Sequence, residues 1–285
     1  MLLPSLISLH RQDDEPPSAE DIFSSSLGGI FADDLQNAHG DDPFTTIIYR
    51  SEKYGDLELR TADVNGEEQR RKFAHYLWNA GILMAEFWWI NQEEEKLWSM
   101  KGQIILELGA GVGLAGIASA LSGAQQVVVS DYPAPVIINT LKKNVSMNVP
   151  EDIQPRVSVE GHQWGELDTP FAQANRHHFV RILAADCYWM QHEHENLAKS
   201  MRHFLSKAPE ARVHCIGGFH TGRANLASFF EEVVPSSGLE VEDIYEMDAN
   251  GGRREWAKER DGGKEDVTGR KRWLVVARLR RRASS

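Results

Sequence analysis

Cysteine is scarce in this chain, with Cys187 and Cys215 the only two among 285 residues. Two thiols imply no disulfide framework and point to a reducing compartment, cytosolic or also nuclear. Basic residues are outnumbered, since 31 Lys and Arg against 42 Asp and Glu leave a formal net charge of −11. Counterion release on a nucleic acid needs clustered Lys and Arg, so no nucleic-acid partner is expected from overall charge. Long apolar runs are missing too. The stretch from Ile82 to Ile90 is broken by Glu86 and too short to span a bilayer, and the opening MLLPSLISLH carries a proline and no basic flank. Neither a membrane segment nor a signal peptide is expected. His192 and His194 stand two apart, which on a helix points them to different sides, so they read as solvated histidines and no metal site is expected.

What the chain does have is 41% hydrophobic residues, enough for one large α/β domain with a modest extension. Residues 1–42 read as a flexible acidic N-terminal arm, because the stretch from 9 to 42 is rich in Asp, Glu, Ser, Gly and Pro without an apolar period. Such an arm is expected to be dispensable for stability. The domain proper is then 43–285. It opens with a β-hairpin over Thr45 to Asp63, turning near Gly55, and an amphipathic helix from Glu67 to about Glu95, where Phe73, Leu77, Ala80, Leu83, Met84 and Phe87 recur at helical steps. From Gln103 onward strand and helix signals alternate, which implies a parallel sheet joined by crossover helices. LEVEDIYEM and KRWLVVARLR end the pattern as two strands separated by a charged loop, Asn250 to Arg270, so an antiparallel hairpin is expected to close the sheet edge. The tail Arg280 to Arg282 reads as a solubilising terminus.

The segment IILELGAGVGLAGIASA, residues 104 to 120, carries the chemistry. It follows a buried-looking strand and opens a helix, the setting that a glycine-rich cofactor loop requires. Gly111, Gly113 and Gly116 fit a dinucleotide fingerprint, whereas Glu107, Gly109, Gly111 and Gly113 fit a loop for S-adenosylmethionine. Asp131, twenty residues past Gly111, ends the next strand where a carboxylate can accept from ribose hydroxyls in either case. Glu107 tips the balance, because an acidic group facing the loop suits an ammonium and a sulfonium and repels a pyrophosphate.

HYLWNAGILMAEF, the glycine segment through VVVSDYP, GHQWG and ILAADCYW occur in that order. Together they resemble the family 16 seven-β-strand methyltransferases, over roughly residues 70 to 280. Within that family the likeness is to the fungal nicotinamide N-methyltransferase-like branch, which neighbours the enzymes that methylate the N-terminus and adjacent lysine of elongation factor 1A. The resemblance implies a Rossmann-like class I methyltransferase: α/β, with a mostly parallel seven-stranded sheet and a terminal antiparallel hairpin. It implies that S-adenosylmethionine is the cofactor. Trp78 would line its site, Gly109, Ala110 and Gly111 would wrap the methionine part, and Asp131 would hold the ribose. Trp164 would lie along the adenine, and Ala185 with Asp186 would close the far wall. In the family's protein-lysine branch an Asp is followed three residues later by an aromatic, usually Tyr. Here the segment reads Asp186, Cys187, Tyr188, Trp189.

Asp186, Tyr188 and Trp189 are therefore the catalytic candidates, with Phe219 and His220 also on the acceptor side. Cys187 reads as a small buried thiol. Trp189 has no hydroxyl to relay a proton but offers a π face to a cationic or flat acceptor. Three functions fit: a protein N-methyltransferase acting on a lysine or N-terminal amine, a small-molecule N-methyltransferase with a nicotinamide-like acceptor, and a methyltransferase-fold regulatory subunit.

Overall fold

A computed structural model describes residues 3–11, 38–40, 45–63, 76–90 and 95–283. Its strands are β1 (Ile7–Arg11), β2 (Ala38–His39), β3 (Thr45–Ser51), β4 (Gly55–Arg60), β5 (Leu77–Trp78), β6 (Ile104–Leu108), β7 (Gln126–Asp131), β8 (Val157–Gly161), β9 (Arg181–Ala185), β10 (Arg212–Gly218), β11 (Leu239–Asp248), β12 (Arg253–Glu255) and β13 (Trp273–Arg281). The main helices are α1 (Asn79–Ile90), α2 (Leu114–Leu121), α3 (Pro135–Asn148), α4 (His194–Phe204) and α5 (Arg223–Ser228), the last running on through a π-turn to Ser236.

The central sheet has the order β12-β11-β13-β10-β9-β6-β7-β8. β6 to β10 pair in parallel, β13 runs antiparallel between β10 and β11, and β12 pairs antiparallel to β11. The alternation of side chains along each strand divides the core in two. Ile105, Val127, Val129, Leu183 and Ile216 point into one layer with Leu83, Met84 and Phe87 of α1, Ala118 of α2 and Leu141 of α3. Leu106, Val128, Ile182, Val213 and Cys215 point the other way, onto Leu197, Met201 and Phe204 of α4 and onto Phe229 and Phe230.

One expectation changes here. The sheet has eight strands, because Arg253–Glu255 inside the expected loop adds one beside β11. Glu246 of β11, fully buried, receives Arg223, Arg254 and Arg260 and so ties this insert down. The two late strands pair antiparallel at that end of the sheet as expected, with β13 lying between β10 and β11.

The N-terminal region is also more structured than its composition implies. The expected hairpin forms as β3 and β4, with Ser51 paired to Gly55 across the turn. β1 adds to it, pairing Ile7 with Tyr49 and Arg11 with Thr45, and Leu3 and Leu6 are buried against the core. The flexible-arm reading of 1–42 is thus corrected at 3–11 and 38–40, where His39 pairs with Leu77; residues 12–37 lie outside the described set. The open edge of β4 is covered by α3: Asn144 bonds both the N–H and the C=O of Arg60, and Asn148 does the same for Glu58. Two side-chain amides four residues apart thereby stand in for a neighbouring strand.

The helix expected from Glu67 begins at Asn79, after the bridge β5, and residues 64–75 are outside the described set. Over 79–87 it is buried nearly all round instead of amphipathic, for Ala80, Ile82, Leu83, Met84, Ala85, Glu86 and Phe87 are all covered. Glu86 is tolerated there because the Tyr49 hydroxyl donates to it.

Candidate active site

The sheet order turns at β6, with β7 and β8 on one side and β9 and β10 on the other. Such a switch point opens a crevice at the carboxyl ends of the strands. A cavity of about 660 Å³ lies there, lined by loops that follow four strands: Gly109 and Gly111 after β6, Asp131 and Tyr132 at β7, His162, Gln163 and Trp164 after β8, and Ala185 to Cys187 after β9. Trp78, Trp189, Met190 and Glu193 complete its wall. A smaller space of about 320 Å³ adjoins it, sharing Trp78, Gly109, Gly111 and Ala185 and reaching Ala110 and Glu107.

The glycines have separate uses. Gly109, Gly111 and Gly113 all have positive φ, at 64°, 58° and 83°, so each supplies a turn that a side chain resists. A Cβ on Gly109 would lie 2.8 Å from Cys187 Sγ and 3.0 Å from the Trp164 ring. At Gly116 it would lie 2.6 Å from both Glu107 and Val129, so this glycine lets α2 close onto the sheet. Glu107 Oε2 accepts the Gly116 N–H at 2.8 Å. Burial pushes this carboxyl up to about 8, the charge of Asp131 adding to the rise while the N–H groups of Gly116 and Ala115 oppose it.

This arrangement answers which cofactor the loop holds. A dinucleotide pyrophosphate would use the first N–H groups of α2, and the Glu107 carboxyl already occupies that helix end. Glu107 therefore lies beneath the loop as a buried acid and borders the smaller space where an ammonium fits. Asp131 is 6% exposed, and it accepts Gly111 N–H at 2.7 Å and Tyr132 N–H at 2.6 Å. A carboxylate has lone pairs left over for ribose hydroxyls. Tyr132 and Trp164 offer faces to an adenine. His162 is held neutral, lowered to about 4 by burial, with Nε2 bonded to Ser200 Oγ at 2.9 Å. The residues present fit S-adenosylmethionine: Glu107, Gly109 to Gly111 and Trp78 for the amino-acid part, and Asp131, Tyr132 and Trp164 for the nucleoside.

On the acceptor side the expected residues divide. Asp186 and Trp189 line the cavity. Tyr188 does not: it is 2% exposed, its hydroxyl donates to the Ala184 carbonyl at 2.9 Å, and its ring packs on Phe229 and Phe230. Its catalytic assignment is corrected to a core one, because successive residues after β9 point to opposite faces and Gly217 leaves the space its ring fills. Phe219 is likewise core, stacked on Trp256 and covered by Arg223. Cys187 is buried, and burial pushes its thiol well up, so it is a packing residue as expected. His194 is buried and bonds the Tyr188 carbonyl at 2.7 Å, against the expectation of a solvated residue, while His192 is exposed. No group of side chains able to hold a metal ion occurs among the described residues.

Asp186 is the strained residue of the site, with φ 57° in a non-glycine position. Its N–H donates to Ile216 O, its Oδ1 accepts Gly218 N–H at 2.8 Å, and its Oδ2 lies 2.9 Å from His220 Nε2. The His220 ring rests 4.7 Å from Trp78. Sequence pattern missed Tyr132, His162, Gln163, Met190 and Glu193, which are contributed by loop positions beside the motifs.

Sheet order, glycine loop and crevice together define a Rossmann-like methyltransferase. A family model described as lysine methyltransferase matches residues 60–234, and the chain belongs to that family. It is an S-adenosylmethionine-dependent methyltransferase. The chain is 32% identical over 187 residues to a protein N-terminal and lysine N-methyltransferase, EFM7, of Gibberella zeae, covering 61% of this chain and 68% of that one. It is 33% identical over 181 residues to the Schizosaccharomyces pombe protein of the same name, with the same two coverages. Among solved structures, a transferase of Pyrococcus horikoshii, PH0793, superposes with a TM-score of 0.50 over 86% of this chain and 74% of that one, at 15% identity, a likeness of fold.

Proposed function

We propose that the chain methylates an amine of a protein, either the N-terminal α-amine or a lysine ε-amine. The observation that carries this reading is the lining of the larger cavity: Asp186 and Glu193 with the indole of Trp189, and no lysine or arginine among its lining residues. Two carboxylates and a π face suit a cationic group, whereas nicotinamide is neutral. The names of the Gibberella and Schizosaccharomyces relatives support the same acceptor class. The site's part is to hold the acceptor in line and exclude water, since a sulfonium is already a good leaving group. Two buried free thiols, Cys187 and Cys215, favour a cytosolic or nuclear setting.

The test supplies labelled S-adenosylmethionine with a peptide bearing a free N-terminus and a lysine, the same peptide blocked at both amines, and nicotinamide. Label is expected on the free peptide only. Trp189→Ala should keep donor affinity and lower transfer by roughly tenfold or more, because acceptor positioning is lost while the glycine loop and Asp131 remain. Label on nicotinamide alone overturns the reading. Donor binding without transfer to any acceptor points instead to a regulatory subunit.

A further inference from the structure

We propose that His220, oriented by Asp186, is the proton acceptor that converts the substrate's ammonium into the free amine. This rests on the amine-methylating reading above. An ammonium has no lone pair to attack with; a lysine side chain in a free peptide titrates at about 10.4 and an α-amine at about 8, so at neutral pH both must lose a proton first.

Other titratable groups at or beside the cavity already have partners or are buried. Asp131 holds two backbone N–H groups, and Glu107 caps α2 beneath the glycine loop. Tyr188 is turned into the core, Cys187 is held as a thiol, and His162 is neutral and bonded to Ser200. Glu193 accepts from Asn196 at 2.9 Å.

His220 has the geometry these lack. Asp186 is fixed at its backbone by Ile216 and at Oδ1 by Gly218, which leaves Oδ2 to accept from Nε2 at 2.9 Å. Because a carboxylate only accepts, Nε2 carries the hydrogen and Nδ1 carries the free lone pair. The side chain is 22% exposed, and the carboxylate it bonds, Asp186, lines the larger cavity. Gly218 has no Cβ, and one there would overlap the imidazole. Its neighbour Gly217 makes room for Tyr188 on the other face. The pair GlyGly before Phe219 and His220 thus serves to seat two rings, one structural and one at the site. Trp78, against which His220 rests, lines both the larger and the smaller space, so the imidazole touches two residues of the cavity wall, Trp78 and Asp186.

The charged groups around His220 act in opposite directions. Burial lowers its affinity for a proton, the charge and hydrogen bond of Asp186 raise it, and Lys271 lowers it; the net direction is upward from 6.5. In the step, the ammonium proton passes to Nδ1 and the nitrogen lone pair forms the new N–C bond. The pair of the broken C–S bond stays on sulfur, and the imidazolium releases its proton to solvent.

His220→Gln keeps a polar side chain and cannot take the proton. It should lower kcat/KM for a lysine peptide by roughly 100-fold or more at pH 7, the scale of general-base catalysis. The deficit should shrink steadily toward pH 10 as free amine becomes available, and it should be smaller at every pH for a peptide methylated at its α-amine. Donor affinity should be unchanged. Independently of turnover, an NMR titration of the wild-type protein should place the His220 pKa above 6.5, and Asp186→Asn should bring it down. A deficit constant across pH, or a His220 pKa unmoved by Asp186→Asn, overturns the proposal while the wild-type enzyme still labels amines. Wild-type labelling of nicotinamide alone overturns the amine reading and this inference with it.

Discussion

Glu107 illustrates how a residue chosen for its charge is governed by burial. Its carboxyl is pushed up to about 8 in the free protein, above the ordinary 4.5 of the unfolded chain. The folded state therefore binds this proton more tightly, and the contribution falls as pH rises from about 4.5 through 8. Glu107→Gln retains an oxygen for Gly116 N–H without an ionisable group. Its melting temperature should exceed that of wild type progressively from pH 5 to 8, and thermal scans across that range check the slope. The same variant should bind S-adenosylmethionine roughly 10- to 100-fold more weakly by calorimetry, because it removes the carboxyl that can ionise beside the donor's ammonium. Parallel pH profiles would show that Glu107 is ionised throughout.

At the scale of elements, the N-terminal strand decides where the folded unit begins. β1 supplies a third strand to the β3–β4 hairpin, and Leu3 and Leu6 cover the core beside it. Leu3 N–H also bonds the Ala249 carbonyl, joining the chain's start to the end of β11. Burying two leucines is worth roughly 3 to 6 kcal/mol as an upper figure. Removing residues 1–11 should therefore lower the melting temperature by about 5 to 10 °C, measured by circular dichroism, with donor affinity changed less. An unchanged melting temperature would return the folded boundary to residue 43. The opposite end of the sheet is held differently, by Glu246 among its three arginines, which fixes β12 and Trp256 over Phe219.

For the whole molecule, the sheet order gathers loops from four strands and one aromatic from β5 into a single crevice. Because Glu107 fills the end of α2 that a pyrophosphate would need, donor selectivity follows from the assembled site. S-adenosylmethionine at a hundredfold excess over its Kd should stabilise the fold by about 2.7 kcal/mol, a shift of several degrees, while NAD should give none. A thermal shift with NAD alone would refute this assignment.

The sequence by itself determined the parallel core, the place of the glycine loop after β6 and of Asp131 at the end of β7, and the class of chemistry, because strand periodicity and turn glycines are local properties. Trp78, Trp164, Ala185, Asp186 and Trp189 were legible as motif residues, and all five line the cavity. Only the tertiary structure decided that Tyr188 turns into the core while its neighbours face the site, that β13 slips between β10 and β11, and that His220 meets Asp186. The physical reason is the same each time. Side-chain direction after a strand and pairing between distant strands depend on which neighbour supplies the hydrogen bond and the space, and that neighbour lies 34 residues away for His220 and, at most, 42 for β1.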